Sequence, residues 1–169
     1  DFPGKSDLLR KLPQRLAGFR ARLDWEPDMR VLVLVDRDDE NCVRLKEDLE
    51  SAARAARLPT KSSGPEFVVV NRIAIEEIEA WYFGDVAALR SLYPRVPASL
   101  AQKAKYRDSD AITGGTWEAL ERLLQGYGYE QGGLRKVMLA DEIGPLLDPD
   151  SNSSESFRAF VEGVRAASA

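Results

Sequence analysis

Two apolar runs rich in β-branched residues predict two strands buried on both faces. The first covers Met29 to Val35, and the second covers Phe67 to Val70. Residues 41–58 between them place apolar side chains at helical spacing among charged ones, which is typical of an amphipathic helix. Strand, helix and strand in this order predict a right-handed parallel crossover, so we assign the chain to the α/β class.

Helical spacing of apolar residues predicts further helices on both sides of the strands. Before the first strand, leucines between Leu8 and Leu23 predict a helix that Ser6 caps and that Pro13 breaks or restarts. After the second strand, helical patterns separated by proline and glycine cover residues 75–83, 85–92, 116–124, 134–147 and 156–167.

The composition is typical of one globular domain. The chain has 169 residues, of which 44% are hydrophobic and 31% are charged, and its net charge is −4. With no apolar segment of membrane-spanning length and one cysteine, we expect a cytoplasmic protein without disulfides. We expect a single domain over residues 1–169, with an α/β core at about 1–84 and a helical portion at about 85–169. Two strands are few for a sheet, so we also expect a first strand before Asp1.

A cluster of carboxylates directly follows the first predicted strand. Asp36 and Asp38 are two residues apart, so their side chains project to the same side if the chain stays extended. Carboxylates and water suit Mg²⁺, and ligands of α/β sheets gather at the carboxyl ends of parallel strands. The alternative is that these acids cap the helix that begins near Asn41, although capping needs only one acid.

Two glutamates follow the second predicted strand in the same way. Glu76 and Glu79 are three residues apart and share one face of the helix predicted over residues 75–83, with Glu77 pointing elsewhere. Because both acidic pairs follow neighbouring parallel strands, we expect the four carboxylates to converge at one edge of the sheet. The alternative is the solvated acidic edge of an amphipathic helix.

The chain contains no histidine, which excludes histidine-based triads, general bases and zinc sites. Catalysis would therefore use carboxylates, lysines and a metal ion. Candidate contacts to nucleic acid are Lys103, Lys105 and Arg107, with Tyr106 between them as a stacking surface, and Arg72 beside the acids. The alternatives are a solvated basic loop for the first three and a salt bridge from Arg72 to Glu76.

Four segments of the chain carry a resemblance to a known family. They are residues 33–39, 71–85, 103–107 and 114–118. Together they resemble a bacterial family of domains of unknown function, DUF4276-like, which is assigned to the Toprim-like folds of topoisomerases, primases and overcoming-lysogenization-defect nucleases. The resemblance assigns Asp36 and Asp38 to the Toprim aspartate pair, and Glu76 and Glu79 to a second metal ion.

The resemblance implies a Toprim-like, Rossmann-like parallel sheet flanked by helices. A further glutamate of Toprim domains follows an earlier strand, which we expect before Asp1. The implied activity is Mg²⁺- or Mn²⁺-dependent cleavage of nucleic acid, with DNA favoured over RNA, because two metal ions can clamp both reacting oxygens without a histidine. The implied setting is bacterial defence or an accessory system with an ATPase partner. The alternative is a noncatalytic Toprim-like interaction module that partners an ATPase.

Overall fold

The structure is a computed structural model that describes residues 4–169. These residues form seven α-helices and two β-strands in the order α1 (Lys5–Arg22), β1 (Val31–Asp36), α2 (Cys42–Ala55), β2 (Val69–Ala74), α3 (Ala80–Gly84), α4 (Val86–Leu92), α5 (Thr116–Gly126), α6 (Lys136–Ile143) and α7 (Glu155–Ser168). The two strands form one small parallel sheet flanked by helices, which confirms the predicted mixed α/β class at this level.

The chain divides into two compact units. The first contains the described residues up to Ile73 together with Phe160–Ala169, and the second is Ala74–Ala159. The first unit therefore holds α1, β1, α2 and most of β2, whereas the second holds α3 to α6 and the start of α7.

The core of the first unit forms where α1 and α2 pack on β1. Alternate valines of β1 are buried together with leucines of the two helices, and this set is Leu12, Leu16, Val31, Val33, Val35, Leu45 and Leu49. Leu32, which points to the other face of β1, is exposed. Only one face of β1 is fully buried, so the prediction of burial on both faces is wrong for this strand, whereas the successive residues Val69 and Val70 of β2 are both fully buried.

Helix α1 runs unbroken through its proline. Its N-cap is Gly4 rather than the predicted Ser6, and it continues past Pro13 to Arg22. Pro13 is exposed, whereas Leu12 and Leu16 beside it are buried. We infer that packing of the leucine face offsets the backbone hydrogen bond that proline cannot donate.

Strand β2 begins later and ends later than the apolar pattern predicts, because it includes two polar residues. The side-chain amide of Asn71 donates to Glu50 at 3.0 Å, and the Lys46 ammonium donates to the Asn71 carbonyl at 2.8 Å. Arg72 donates to Glu162 at 3.1 Å. These contacts satisfy the carbonyl and the side-chain amide nitrogen of Asn71 and pair the Arg72 guanidinium, whereas Asn71 Oδ1 is buried without a hydrogen-bond partner among the described residues.

The second unit is built on a buried aromatic segment. Trp81 packs on Phe157 with ring centroids 5.2 Å apart, and Phe83 stacks on Tyr106 at 5.2 Å with an interplanar angle of 7°. The indole nitrogen of Trp81 donates to the Ser156 hydroxyl at 2.9 Å, so its polar group is also satisfied. No helix within residues 4–169 is both long enough and apolar enough to cross a membrane.

Candidate metal centre

The chain turns immediately after β1 instead of staying extended. Strand β1 ends at Asp36, and Asp38 adopts a left-handed backbone conformation with φ of 50°. The Glu40 amide donates to the Arg37 carbonyl at 3.1 Å, which closes the turn. The extended arrangement expected for Asp36 and Asp38 is therefore wrong, and the acids are presented from a turn.

A lysine from α1 neutralises part of this acidic turn. The Lys5 ammonium lies 2.6 Å from Asp38 Oδ2 and 2.7 Å from Glu40 Oε1, and it donates to the Arg37 carbonyl at 3.1 Å. Burial lowers the pKa of Lys5, but the hydrogen bonds and negative charges of Asp38 and Glu40 outweigh burial, so the pKa is raised. The turn therefore already binds one cationic group.

Helix α2 takes its cap from a residue other than the two aspartates. The Asn41 side chain accepts a hydrogen bond from the Arg44 amide at 3.0 Å, which is the usual N-cap contact. Asp36 and Asp38 are thus not needed as the N-cap, which favours a separate role for their carboxylates.

Glu76 and Glu79 do not share a helical face. Strand β2 continues to Ala74, Glu76 has a left-handed φ of 62°, and α3 begins only at Ala80. Glu79 is the N-cap residue of α3, and its side chain makes no capping hydrogen bond. The helix predicted over residues 75–83 therefore starts five residues late, because the longer strand and the turn at Glu76 occupy its first part.

Glu77, which the helical pattern predicts to point away from Glu76 and Glu79, is hydrogen-bonded to the start of α5. Its Oε2 accepts hydrogen bonds at 2.9 Å from both the Thr116 hydroxyl and the Trp117 amide at the start of α5. The N-cap of α5 is Gly115, which has no side chain, so Glu77 supplies the missing cap. Burial raises the pKa of Glu77, but these hydrogen bonds and the Lys136 charge outweigh burial and lower it.

A lysine also accompanies the acids of the second unit. The Lys136 ammonium lies 3.4 Å from Glu77 Oε1, 3.8 Å from Glu79 Oε1 and 4.7 Å from the centroid of the Trp117 ring. Glu79 is buried. Each of the two predicted acidic segments thus has a lysine ammonium among its carboxylates. The lysine is Lys5 in the first unit and Lys136 in the second.

The four predicted ligands are divided between the two units. Asp36 and Asp38 belong to the first unit, and Glu76 and Glu79 to the second. Within residues 4–169, no three acidic or cysteine side chains are grouped as a metal site. Convergence of all four carboxylates on one ion stays a prediction.

The basic loop of the second unit is exposed. Lys103, Lys105 and Arg107 lie on the surface, and Arg107 donates to the Gln102 carbonyl at 3.4 Å. The Tyr106 ring stacks on Phe83, and the Lys105 ammonium lies 5.3 Å from its centroid. One face of Tyr106 is therefore used inside the unit, and a role of this loop in binding nucleic acid stays a prediction.

Arg72 forms a salt bridge rather than lying in an open basic patch. Its guanidinium lies 3.1 Å from Glu162, which also binds Lys61 at 2.6 Å. The hydrogen bond from Lys61 is the largest influence on the pKa of Glu162 and lowers it. Burial raises this pKa by less, so the pKa of Glu162 is lowered. Arg72 thus forms a salt bridge as the alternative predicts, but the pairing that the structure shows is with Glu162, whereas the predicted partner is Glu76.

The fold and these contacts define a mixed α/β protein whose acidic turns follow two parallel strands. The family model for DUF4276, a domain of unknown function, matches residues 2–165. The chain belongs to the DUF4276 family. No curated protein and no solved structure matches it.

Proposed function

We propose that this protein is a Toprim-like nuclease that cleaves phosphodiester bonds in nucleic acid with Mg²⁺ or Mn²⁺. In this proposal Asp36 and Asp38 hold the metal ion, and Glu76 and Glu79 assist from the segment after β2. DNA is the favoured substrate, and the proposed setting is bacterial defence or an accessory system. The Toprim-like relationship is part of the proposal.

The observation that carries the proposal is the turn after β1. Its carboxylates stand at the carboxyl end of a parallel strand, where α/β proteins bind ligands. Asn41 caps the following helix, so Asp36 and Asp38 are not required there. A helix cap needs only one side chain, whereas a metal site uses more than one carboxylate, as this turn provides.

The donor chemistry of this turn fits a divalent cation. Asp38 and Glu40 hold the Lys5 ammonium at 2.6 and 2.7 Å, so the turn concentrates negative charge and attracts a cation. Proteins bind Mg²⁺ through one or two carboxylates and several waters, so Asp36 and Asp38 meet this requirement without a third protein ligand. When bound, the ion would polarise a phosphoryl oxygen and lower the pKa of a bound water.

Lys5 and a divalent cation compete for the same carboxylate, because both carry positive charge and Asp38 is common to them. Lys5 therefore stabilises the turn without metal and keeps its acids close together. The same reasoning applies to Lys136, which contacts Glu77 and Glu79. These lysines are positioning residues in the proposal.

The direct test compares Mn²⁺-supported cleavage of DNA and RNA by the full chain with cleavage by Asp36→Asn. A matched control is Asp48→Asn, which makes the same charge change on the exposed surface of α2. Loss of a ligand should reduce cleavage by at least about 100-fold, whereas the control should cleave normally. Equal activity of the two variants would overturn the assignment of Asp36.

A second measurement reports metal binding without activity. A ligand that binds the folded state at 100 times its Kd stabilises it by about 2.7 kcal/mol, so Mn²⁺ should raise the melting temperature of the natural chain. Asp36→Asn should reduce this rise, and Asp48→Asn should keep it. No rise in the natural chain, together with no cleavage, would overturn the proposed function.

The second candidate is a noncatalytic interaction module that partners an ATPase. The observation that favours it is the pairing of Lys5 with Asp38 and Glu40, because ion pairs of this kind also serve purely structural roles. This candidate predicts no cleavage and no metal-dependent rise in melting temperature, so the same two measurements separate the two functions.

A further inference from the structure

Helix α1 carries a charge opposite to that of the whole protein. Six basic residues and one acidic residue give it a net charge of +5, in a chain whose net charge is −4. The six are Lys5, Arg10, Lys11, Arg15, Arg20 and Arg22. A positive segment of this kind attracts polyanions locally even though the protein as a whole is acidic.

The basic residues line a surface groove on this helix. Arg10, Lys11, Arg15 and Arg22 form its rim, and Phe19 lies half-buried along it. Gly18 also belongs to the groove, and the space where a side chain would extend from it is open. The groove thus combines several cationic groups with one aromatic surface and leaves room between Arg15 and Arg22.

An exposed tryptophan follows the end of the same helix. Trp25 is 85% exposed, and its amide donates to the Arg22 carbonyl at 2.9 Å, which ties it to the last turn. Of the other two tryptophans, Trp81 is buried and Trp117 is half-buried. An exposed indole three residues after Arg22, which lines the basic groove, is suited to stacking on a nucleobase.

One basic group of this groove has an exposed ion-pair partner. Arg22 pairs with Glu26 at 2.7 Å, and both side chains are about half exposed, 55% and 51%. Water screens such a pair strongly, so a phosphate group can replace Glu26 on Arg22. Arg10 and Lys11 both pair with Asp7, with the Lys11 contact at 2.8 Å, and a phosphate group would bind beside these pairs.

We propose that the basic groove of α1 and Trp25 form a docking surface for single-stranded nucleic acid. Arginines predominate here, and a guanidinium binds a phosphate through two parallel hydrogen bonds. Stacking on Trp25 requires an unstacked base, which a single strand offers and a duplex does not. The inference rests on the proposed function in taking nucleic acid as the ligand, and it adds the surface and the strand state.

Binding is tested with the full chain and a fluorescently labelled oligothymidylate in EDTA, so that no cleavage occurs. Trp25→Ala should weaken binding by about fivefold to 150-fold, because stacking on one aromatic contributes about 1–3 kcal/mol per base. Trp25→Phe should restore most of the affinity. The indole fluorescence lost in Trp25→Ala should be the component that the oligonucleotide quenches in the natural chain.

The electrostatic part has its own variants. The double variant Lys11→Gln and Arg15→Gln should reduce the slope of log affinity against log salt by about 1.4, which is 0.7 for each lost phosphate contact on a single strand. Arg44→Gln and Arg54→Gln on the exposed surface of α2 are the matched controls and should leave the slope unchanged.

Several results would overturn the inference. The first is an affinity for the oligonucleotide in both Trp25→Ala and the double variant that equals the affinity of the natural chain. The second is binding of duplex DNA as tight as, or tighter than, binding of the oligonucleotide. The third is equally tight binding of polyglutamate, which would indicate an acidic protein partner. Asp48→Asn, a charge change on the exposed surface of α2, should bind the oligonucleotide normally in EDTA. If cleavage requires Asp36 but the α1 variants bind the oligonucleotide normally, only this inference is refuted. If the α1 variants bind less tightly but the natural chain cleaves no nucleic acid, only the proposed nuclease is refuted.

Discussion

Replacing Lys5 with methionine tests the relation between the acidic turn and a metal ion. Lys5→Met keeps the unbranched apolar stem and removes the ammonium that contacts Asp38 and Glu40. The Lys5 side chain is 16% exposed, whereas those of Asp38 and Glu40 are 51% and 48% exposed. Solvent therefore screens both ion pairs substantially, and each contributes about 0.5–1 kcal/mol.

Two opposite effects follow from this one change. Without metal, the free energy of unfolding should fall by about 1–2 kcal/mol, which lowers the melting temperature of a chain of this size by about 2–8 °C. With metal, the competing ammonium is gone and Asp38 is open to the ion. The Kd for Mn²⁺ should then fall by a factor of about 5–30, which corresponds to the same 1–2 kcal/mol.

The assay is thermal unfolding in EDTA and in a series of Mn²⁺ concentrations. Lys11→Met is the matched control, because it removes a lysine that pairs with Asp7 at 2.8 Å on the same helix. Lys5→Met should melt lower in EDTA and show a larger Mn²⁺-induced rise than the natural chain. The same rise in Lys5→Met, Lys11→Met and the natural chain would refute the competition for Asp38.

The raised pKa of Lys5 makes its contribution to stability depend on pH. The stabilisation is complete below the ordinary pKa of 10.5 and is lost as pH rises through the raised value, so the melting temperatures of Lys5→Met and the natural chain should converge there. Glu77→Gln should lower the free energy of unfolding by about 1–2 kcal/mol at neutral pH. Because the pKa of Glu77 is lowered, this stabilisation is present above 4.5 and is lost as pH falls through the lowered value, so the loss measured by urea unfolding should shrink as pH falls below 4.5. A loss that stays the same as pH falls would contradict the charge interactions assigned to Glu77. Leu49→Ala should lower the free energy of unfolding in urea by about 2–5 kcal/mol because Leu49 is fully buried. Val43→Ala on the exposed surface should lower it by less than about 0.5 kcal/mol, and similar losses in the two variants would contradict the assigned core.

Local patterns along the sequence locate the regular elements of the first unit well. The valine run before Asp36 predicts β1 within two residues at its start and one at its end, because β-branched residues at alternate positions favour a strand. The helix predicted over residues 41–58 corresponds to α2, Cys42–Ala55, and the parallel pairing that follows from this order is confirmed. These features depend on residues close together in the chain.

The apolar pattern ends β2 four residues early, at Val70 instead of Ala74, because the polar members of this strand are held by residues distant in the chain. Asn71 depends on Lys46 and Glu50, and Arg72 depends on Glu162, which lies 90 residues further along the chain. A local pattern treats these polar residues as the end of a strand. The shift in β2 also displaced the helix predicted after it and removed the shared face expected for the two glutamates.

The acidic residues of the candidate centre were visible in the sequence, but the groups that hold them were not. Lys5 reaches the turn after β1 from 33 residues earlier, and Thr116 and Lys136 reach Glu77 from 39 and 59 residues later. One signal for Glu77 was present, since Gly115 precedes a predicted helix and cannot cap it with a side chain.

Affinity cleavage tests most directly the proposal that Asp36 and Asp38 hold a divalent ion in the turn after β1. Fe²⁺ is bound in place of Mg²⁺, and ascorbate with peroxide then cuts the backbone beside the ion. We expect cuts in the turn after β1, and we expect them to disappear in Asp36→Asn but not in Asp48→Asn. No cuts in this turn, or equal patterns in the two variants, would contradict the proposal.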